Sequence, residues 1–413
     1  MEFGPNFLKE MRLMAVFAVA AVILYIVVQF TDMPSSVVDG YFPYADAMMH
    51  GVFPYTDKVF VYDDWNVWEY PPLAYCLMII PRIFTSSTAG YQAVYLVLVL
   101  VFLWIGLHST GEIAEIRGYS RSRAYLVYTL TMMLMAEFVF DRYDVFPVVL
   151  CILAVQFFLQ KRIPLTAVMI GLGILLKLYP VLLLPVFLIW LLRERRYRDI
   201  SCAAVSLVIV MCVAVPFVLI GDISQMFGYH SSRPMEIESL AASVLEVWRL
   251  IDPACGMSVI YSYGSDNLVG GISDSVSPYL TYVMLLVIVV VWLLYVLRSG
   301  SDRNLESRSF AVMFLTVSAF MLFGAIFSAQ YVMWLIPFLL VLLMMEPSAE
   351  LRKTYFWLFV VIEVLTQLNF LFNFGMRPDD FLSPWGVGSI LLRNILLLFM
   401  SGIVLKRSLA ATD

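Results

Sequence analysis

Five groups of polar and aromatic residues stand out in a sequence that is otherwise largely apolar, and each lies beside a long apolar run. A carboxylate in such a place can act as a general base, and a Lys or Arg side chain can bind an anion. Placing a charge in hydrocarbon costs about 2.5–3.5 kcal/mol even on the mildest scales, so each group needs a reason to be there. The groups begin at Asp39, Asp141, Lys177, His230 and Ser328.

The first group is a loop that contains Asp39-Gly-Tyr-Phe-Pro-Tyr44, Gly51-Val-Phe-Pro-Tyr55 and Tyr70-Pro-Pro-Leu. Asp39 is our candidate for a general base. It could instead cap a helix near 41–50, because Asp is a favoured N-cap residue. We expect the other acids of the loop mainly to keep it solvated.

The other groups also have two interpretations each. The sequence Asp141-Arg-Tyr-Asp144 forms a tight turn that could bind a ligand or could be a solvated turn with a local ion pair. Lys177 stands among apolar residues, so it must either extend to the membrane surface or meet an anion. His230 and Arg233 could bind an anion or could be ordinary surface residues.

Metal sites and familiar nucleophile motifs are not indicated. The three histidines have no paired spacing that would suit zinc, and the chain has no Gly-rich phosphate loop and no Gly-x-Ser-x-Gly motif. Asp63 and Asp64 could hold a divalent cation through their oxygens, but two adjacent acids do not by themselves make a site. We therefore predict no metal and no certain cofactor.

The composition identifies the elements that must position these groups. Of the 413 residues, 62% are hydrophobic and 14% are charged, whereas soluble domains have about 25% charged residues. The sequence therefore predicts an all-α polytopic membrane protein, and its net charge of −5 argues against a nucleic-acid partner. We predict about twelve membrane-spanning helices, near residues 13–30, 91–107, 124–140, 145–160, 164–177, 180–192, 200–220, 279–297, 309–326, 331–345, 354–372 and 387–405.

The charges predict the orientation. With the N-terminus in the cytoplasm, most of the 26 Lys and Arg residues lie on the cytoplasmic side, which is the positive-inside pattern. Both termini are then cytoplasmic in the cell membrane, and all five polar groups face outward. Residues 71–84 are too short to span comfortably, and we predict that they form an interfacial or re-entrant helix. Residues 41–53 suit a short helix on the outer surface.

The chain is thus predicted to be a single membrane domain, 1–413, with two long outer loops. The first, 31–90, carries the candidate base, and the second is 221–278. We find no internal repeat and no soluble domain.

The motifs of these loops resemble those of the GT-C glycosyltransferases, and most closely the family 87 mannosyltransferases that use polyprenyl-phosphate-mannose. The resemblance runs in the same order from about 39 to 340, and no single motif carries it. Beyond the loop at Asp39, it includes the following segments: Phe140-Asp-Arg-Tyr-Asp-Val-Phe-Pro147, Leu176-Lys-Leu-Tyr-Pro180, His230-x-x-Arg233-Pro-x-x-Ile-Glu238-Ser239 and Phe327-Ser-x-Gln-Tyr-x-x-Trp-Leu-x-Pro337.

The resemblance implies a GT-C helical bundle and an inverting transfer of a sugar, mannose in the family, from a polyprenyl-phosphate donor. The acceptor is a hydroxyl group of a glycolipid or lipid-linked glycan on the outer face. Asp39 matches the family's general base, although the second acid of the family's usual pair is absent here. A departing phosphate needs positive charge rather than a proton. The candidates for binding it are Lys177, Arg233, Arg142 and His230.

The remaining candidates concern the sugar and the acceptor. Asp141 or Asp144 could bind sugar hydroxyls, and either could replace Asp39 as the base. Trp65, Trp68 and Tyr70 could stack on a sugar or anchor the loop at the membrane surface. The full set of predicted sugar- or acceptor-binding residues is Asp141, Asp144, Glu238, Gln330, Tyr331, Tyr44 and Tyr70.

Two other classes of protein remain open. A transporter or flippase of a lipid-linked sugar would need ionisable residues near the middle of the membrane, where Glu137 and Glu363 are the deepest acids. A membrane scaffold would need neither a base nor an anion site. The concentration of polar groups at one face favours the enzyme.

Overall fold

The computed structural model describes residues 5–30, 35–61, 64–298, 305–374 and 383–409. Within these ranges the chain is mostly α-helical, as the composition predicts. It divides into two compact units, and each is described by itself. The first consists of residues 1–181 and 196–231, and the second consists of residues 182–195 and 232–413.

The first unit contains the helices that lie around the first long loop. A two-stranded antiparallel hairpin, β1 (Val59–Val61) and β2 (Asp64–Asn66), lies within that loop. The helices are α1 (Pro5–Phe30), α2 (Phe42–Met49), α3 (Pro72–Phe84), α4 (Thr88–Ile116), α5 (Arg121–Leu134), α6 (Ala136–Asp141), α7 (Val145–Leu159), α8 (Ile163–Leu176), α10 (Tyr197–Met211), α11 (Val215–Ile220) and α12 (Ser224–Ser232).

The second unit combines long apolar helices with a small antiparallel sheet. The sheet has the strand order β3-β5-β4 and consists of Met235–Glu236, Ser265–Val269 and Ser258–Ser262, respectively. Its helices are α9 (Leu183–Arg193), α13 (Leu240–Ile251), α14 (Gly271–Arg298), α15 (Leu305–Phe323), α16 (Ile336–Met345), α17 (Ala349–Phe374) and α18 (Pro384–Leu409). Neither this sheet nor the hairpin of the first unit is predicted from the sequence, because their strands have two to five residues and no clear alternation.

Each predicted apolar span overlaps one or two helices, although α1, α4 and α14 extend eight or nine residues beyond the predicted bounds. The count of twelve spans is not confirmed. In the described part of the chain, six helices are long and apolar enough to cross a membrane. They are Asn6–Phe30, Thr88–Ile116, Tyr197–Ile220, Gly271–Leu297, Leu305–Phe323 and Pro384–Leu409. Several other apolar helices are shorter, such as α7 and α8, and the predicted span 124–140 is interrupted at Met135 between α5 and α6.

The two short helices predicted for the first loop are both present. Residues 42–49 form α2, and residues 72–84 form α3, which begins at a Pro-Pro pair and has 13 residues. A helix of this length rises about 20 Å, which is less than the thickness of a membrane core. An ion pair of 2.9 Å between Asp46 and Arg82 joins the two helices.

A cluster of buried aromatic side chains holds the first loop together. The ring centroids of Tyr44 and Trp68 lie 5.1 Å apart, and those of Trp68 and Tyr75 lie 4.8 Å apart. The Tyr44 hydroxyl donates a hydrogen bond of 3.0 Å to the carbonyl of Val67. Because edge-to-face aromatic contacts add to the energy of burial, this cluster gives the loop a core of its own.

The backbone at Gly221 packs closely against the same loop. A Cβ atom at this position would lie 2.4 Å from the carbonyl oxygen of Pro54. The adjacent Asp222 N–H donates a hydrogen bond of 2.9 Å to the carbonyl of Tyr55. Glycine is therefore required here by the close approach of two backbone segments.

We predict that Gly221→Ala lowers the free energy of unfolding by about 1–3 kcal/mol, because the added methyl group pushes the two backbone segments apart. Thermal unfolding of the purified protein in detergent would measure this effect. Gly228→Ala is the matched control, since nothing lies within 4 Å of a Cβ at position 228. Equal stability of the two variants would contradict the close packing at Gly221.

Candidate active site

Asp39 lies in a π-helical turn, Ser36–Tyr41, which directly precedes α2. Its side chain is exposed, and Oδ2 accepts a hydrogen bond of 2.8 Å from the backbone N–H of Ser35. No side chain caps α2, so the alternative in which Asp39 serves as its N-cap is wrong. The carboxylate is thus held by the preceding backbone and remains accessible.

Asp141 binds the start of the same turn. Its Oδ1 accepts a hydrogen bond of 2.6 Å from the Ser35 hydroxyl, and its Oδ2 accepts one of 2.9 Å from the backbone N–H of Ser36. Burial raises the pKa of Asp141, whereas the positive charge of Arg142 and these hydrogen bonds oppose the rise. Both oxygens of Asp141 therefore contribute to fixing the turn that carries Asp39.

Asp144 is buried at the start of α7 and pairs with Lys177, which ends α8. The distance between Lys177 Nζ and Asp144 Oδ2 is 3.3 Å. Asp144 is therefore not part of a solvated turn, and its ion-pair partner comes from another helix. Lys177 Nζ also lies 4.6 Å from the ring centroid of Tyr143 and 5.9 Å from that of Tyr70. Such cation–π contacts stabilise a positive charge away from bulk water.

These contacts join Asp39 to Lys177 through one continuous set of neighbours. Asp39 and Asp141 share Ser35, and Asp141 leads through Arg142 and Tyr143 to Asp144. Arg142 is half-buried within this turn. We call this set, from Ser35 and Asp39 to Lys177, the Asp39 cluster.

The remaining predicted residues of the first unit differ in their access to a ligand. Tyr70 is half-buried, and its ring centroid lies 5.0 Å from that of Tyr143, beside the Asp39 cluster. Tyr44 is fully buried in the aromatic core of the loop. His230 is exposed, and its Nε2 lies 3.2 Å from the carbonyl oxygen of Glu69, to which it can donate.

Arg233 belongs to a polar group of the second unit. Its Nη2 donates a hydrogen bond of 2.8 Å to the Ser265 hydroxyl and lies 3.9 Å from Oε2 of Glu236. Glu236 is buried, and its two carboxylate oxygens, 2.7 and 3.0 Å from the Ser328 hydroxyl, share the one hydrogen that this hydroxyl donates. Arg233 is thus part of a buried network rather than a simple surface residue.

Glu238 is held by a charge inside α18. Arg393 Nη1 lies 2.5 Å from Glu238 Oε2, and Arg393 Nη2 donates a hydrogen bond of 2.7 Å to the Glu238 carbonyl. Arg393 is fully buried, and its guanidinium lies 4.1 Å from the ring centroid of Phe327. Burial raises the pKa of Glu238 to about 7, although the neighbouring guanidinium opposes the rise. The Glu238 carboxylate therefore forms a buried ion pair with Arg393 that has a structural role.

The last two predicted residues lie in a 3-10 helix, Ala329–Leu335, of the second unit. Gln330 is half-buried, whereas Tyr331 is buried and stacks on Trp334 at a centroid distance of 3.8 Å.

Sequence reasoning missed four residues that position these groups: Ser35, Glu236, Ser328 as a partner of Glu236, and Arg393. Two of them carry a signal that could have been used. Ser35 directly precedes the turn as its N-cap, and Ser is a favoured N-cap residue. Arg393 is an isolated charge within an apolar helix, so it needs a buried partner. The partner of Glu236 has no such signal, because it lies 92 residues away.

The metal candidate Asp63–Asp64 lies outside the described side chains. Within the described residues, no group of three or more His, Cys, Asp or Glu side chains could hold a metal ion.

Comparison with known proteins places these motifs in a family. The profile of glycosyltransferase family 87 matches residues 68–324, which is more than half of the chain. The chain belongs to glycosyltransferase family 87. A search of curated proteins gave no match.

A similar solved structure is the crystal structure of ArnT from Cupriavidus metallidurans bound to undecaprenyl phosphate. The alignment has 12% sequence identity and a TM-score of 0.44, and it covers 96% of this chain and 77% of that chain.

We predict that Arg393→Met lowers the free energy of unfolding by about 3–5 kcal/mol, because it leaves Glu238 as an unpaired buried charge. The double variant Glu238→Gln/Arg393→Met should recover part of this loss. Thermal unfolding would measure both. Arg196→Met is the matched control, since Arg196 and Asp199 are both partly exposed in their ion pair, which should contribute about 0–1 kcal/mol. Unchanged stability of Arg393→Met with loss of sugar transfer would instead assign Glu238 to a ligand.

Proposed function

We propose that this protein transfers mannose from a polyprenyl-phosphate donor to a hydroxyl group of a glycolipid or lipid-linked glycan, with inversion, on the outer face of the cell membrane. Membership of family 87 supports glycosyl transfer. The donor, the sugar and the acceptor class rest on the resemblance of the loop motifs. The outer face rests on the distribution of Lys and Arg.

The observation that carries the proposal is the Asp39 cluster. It links an exposed carboxylate, Asp39, to a half-buried ammonium group, Lys177, through hydrogen bonds and one short turn. Sugar transfer from a lipid phosphate needs these two kinds of group: one accepts a proton, and the other stabilises negative charge.

Asp39 takes the proton from the acceptor hydroxyl group. The acceptor oxygen then forms a bond to the anomeric carbon from the side opposite the phosphate, which inverts the configuration at that carbon. Asp39 suits this role better than its neighbours do, because both oxygens of Asp141 and one oxygen of Asp144 already accept bonds or pair with a charge.

Lys177 stabilises the leaving group. The bond between the anomeric carbon and the phosphate oxygen breaks, and its electron pair stays on the phosphate. The phosphate leaves as an anion, so it needs no proton from a second acid, in contrast to the leaving group in most glycoside hydrolases. The ammonium group already lies between Asp144 and the Tyr143 ring, so little reorganisation is needed when charge develops.

We predict that Asp39→Asn lowers the rate of transfer by about 10²–10⁴-fold, because the amide cannot accept the proton. The assay would follow radiolabelled sugar from polyprenyl-phosphate-mannose into a total membrane lipid extract, with purified protein in lipid nanodiscs. Donor binding and thermal unfolding should change little.

Asp57→Asn is the matched control, because Asp57 is an exposed acid in the same loop. Full activity of Asp39→Asn would move the base to Asp144 or Asp141.

We predict that Lys177→Ala raises the KM for the donor by about 10–100-fold and leaves the KM for the acceptor unchanged, because a charge-assisted contact to phosphate is lost. Lys177→Arg should retain most of the affinity, which separates the lost charge from a folding defect. Lys58→Ala, at an exposed lysine of the same loop, is the control. Equal changes in both KM values would rule out a phosphate-specific role.

A second candidate function, a carrier of lipid-linked sugar, is favoured by one observation. Glu363 in α17 is fully buried, and neither of its carboxyl oxygens has a hydrogen-bond partner among the described residues. Carriers use such groups to couple transport to protons. If the wild-type protein transfers no label, a liposome flip assay with Glu363→Gln would test this function. Loss of flipping in that variant would support the carrier.

A further inference from the structure

Helix α13 buries its charged residues and exposes several of its large apolar residues, although Ala242, Leu245 and Val247 pack inward. Glu246 and Arg249 are 1% and 4% exposed, whereas Val244, Trp248 and Ile251 are 54%, 44% and 78% exposed. On a helix that faces water, the apolar face is the one that packs inward. The reversed arrangement of α13 is therefore unfavourable in water.

The two faces follow regular helical spacing. Val244, Trp248 and Ile251 are separated by four and three residues, which places them on one side of the helix. On the opposite side, Arg249 donates hydrogen bonds of 2.9 and 2.7 Å to Oε2 of Glu246. The inward charges thus neutralise each other, and the outward face carries only apolar and aromatic groups at these positions.

The start of α13 is bound to a helix of membrane-spanning length. Asn394 of α18 donates hydrogen bonds of 3.3 Å to the Ser243 hydroxyl and 3.1 Å to the Glu238 carbonyl. Asn394 comes ten residues after Pro384, where α18 begins, so it lies about 15 Å along that helix. The first turn of α13 therefore sits beside the interior of α18 rather than beyond its end.

The helix that anchors α13 itself presents apolar side chains to its surroundings. These are Leu392, Ile395, Leu398 and Phe399, all exposed on α18. In a helix that crosses a membrane, such side chains face lipid. An element bound at the same level along α18 meets the same surroundings.

We propose that the face formed by Val244, Trp248 and Ile251 contacts the hydrocarbon chains of the bilayer, so that α13 is a membrane-embedded part of the second long loop. Lipid accounts for both observations: it favours apolar groups outward and buries the Glu246–Arg249 pair inward. Trp248 is of the residue type enriched where hydrocarbon meets the headgroups. This inference does not depend on the sugar-transfer proposal.

Spin labels can measure what surrounds the face. Val244→Cys and Trp248→Cys would be labelled with a nitroxide in a variant whose native cysteines are replaced by alanine, and then reconstituted in phosphatidylcholine vesicles. Oxygen concentrates in hydrocarbon, whereas a nickel chelate stays in water. We expect oxygen accessibility to exceed nickel accessibility at both positions.

Two control positions calibrate the measurement. Leu398→Cys, on the exposed apolar face of α18, should give the lipid result, and Glu194→Cys, in an exposed polar turn, should give the aqueous result. Higher nickel accessibility at 244 and 248 would overturn the proposal in favour of water. Low accessibility to both reagents would overturn it in favour of a protein partner or a second copy of the chain.

A measurement in the native-cysteine background guards against misfolding of the labelled variants. Lipids brominated in their acyl chains quench nearby tryptophans, so the wild-type protein should lose a larger part of its fluorescence than Trp248→Phe. The difference is measurable because the chain has only nine tryptophans. Equal quenching of the two proteins would place Trp248 outside the lipid and contradict the inference.

Discussion

Charged side chains inside an apolar helical bundle must find specific partners, and this constraint explains much of the arrangement described above. Lys177 at the end of α8 pairs with Asp144 at the start of α7. Arg393 within α18 pairs with Glu238. The first pair joins two consecutive helices, and the second joins residues 155 positions apart. An unpaired charge at either place would cost several kcal/mol. The loops are therefore held to their helices by electrostatics as well as by apolar packing.

The same constraint distinguishes the carboxylates of this family 87 protein from one another. Asp141, Glu236 and Glu238 use their oxygens to bind hydroxyls, backbone N–H groups or a guanidinium. The Asp39 carboxylate stays exposed and, among the described residues, accepts one hydrogen bond, from a backbone N–H. A carboxylate that already binds several partners must break those contacts before it can bind a substrate. Asp39 differs from the other carboxylates in being exposed and in having few hydrogen-bond partners among the described residues. Ser35 joins Asp39 to Asp141, so the position of the proposed base depends on a residue to which we assign no chemical role.

The lipid surroundings that we propose for α13 explain how the apolar and charged residues of this helix are arranged in the second long loop. In water, the outward apolar face of α13 would be unfavourable, and its inward Glu246–Arg249 pair would gain little from burial. In a bilayer, both features become favourable, because the exposed side of a helix must be apolar and its charges must be paired within the protein. Two consecutive residues of α18 make these contacts: Asn394 binds the start of α13, and Arg393 pairs with Glu238.

The sequence by itself determined the helical membrane class, the approximate position of each apolar helix, the two short helices of the first loop and the charged candidates of the Asp39 cluster, but not Ser35. These follow from local properties: hydropathy, prolines, and isolated charges beside apolar runs. Only the tertiary structure decided which carboxylate oxygens already accept hydrogen bonds or pair with a positive charge. Asp141 binds Ser35 across 106 positions, Glu238 binds Arg393 across 155, and Tyr44 is buried in an aromatic core. Residue type states what a side chain can bind, but the partner is set by packing between distant segments, which leaves no local pattern in the sequence.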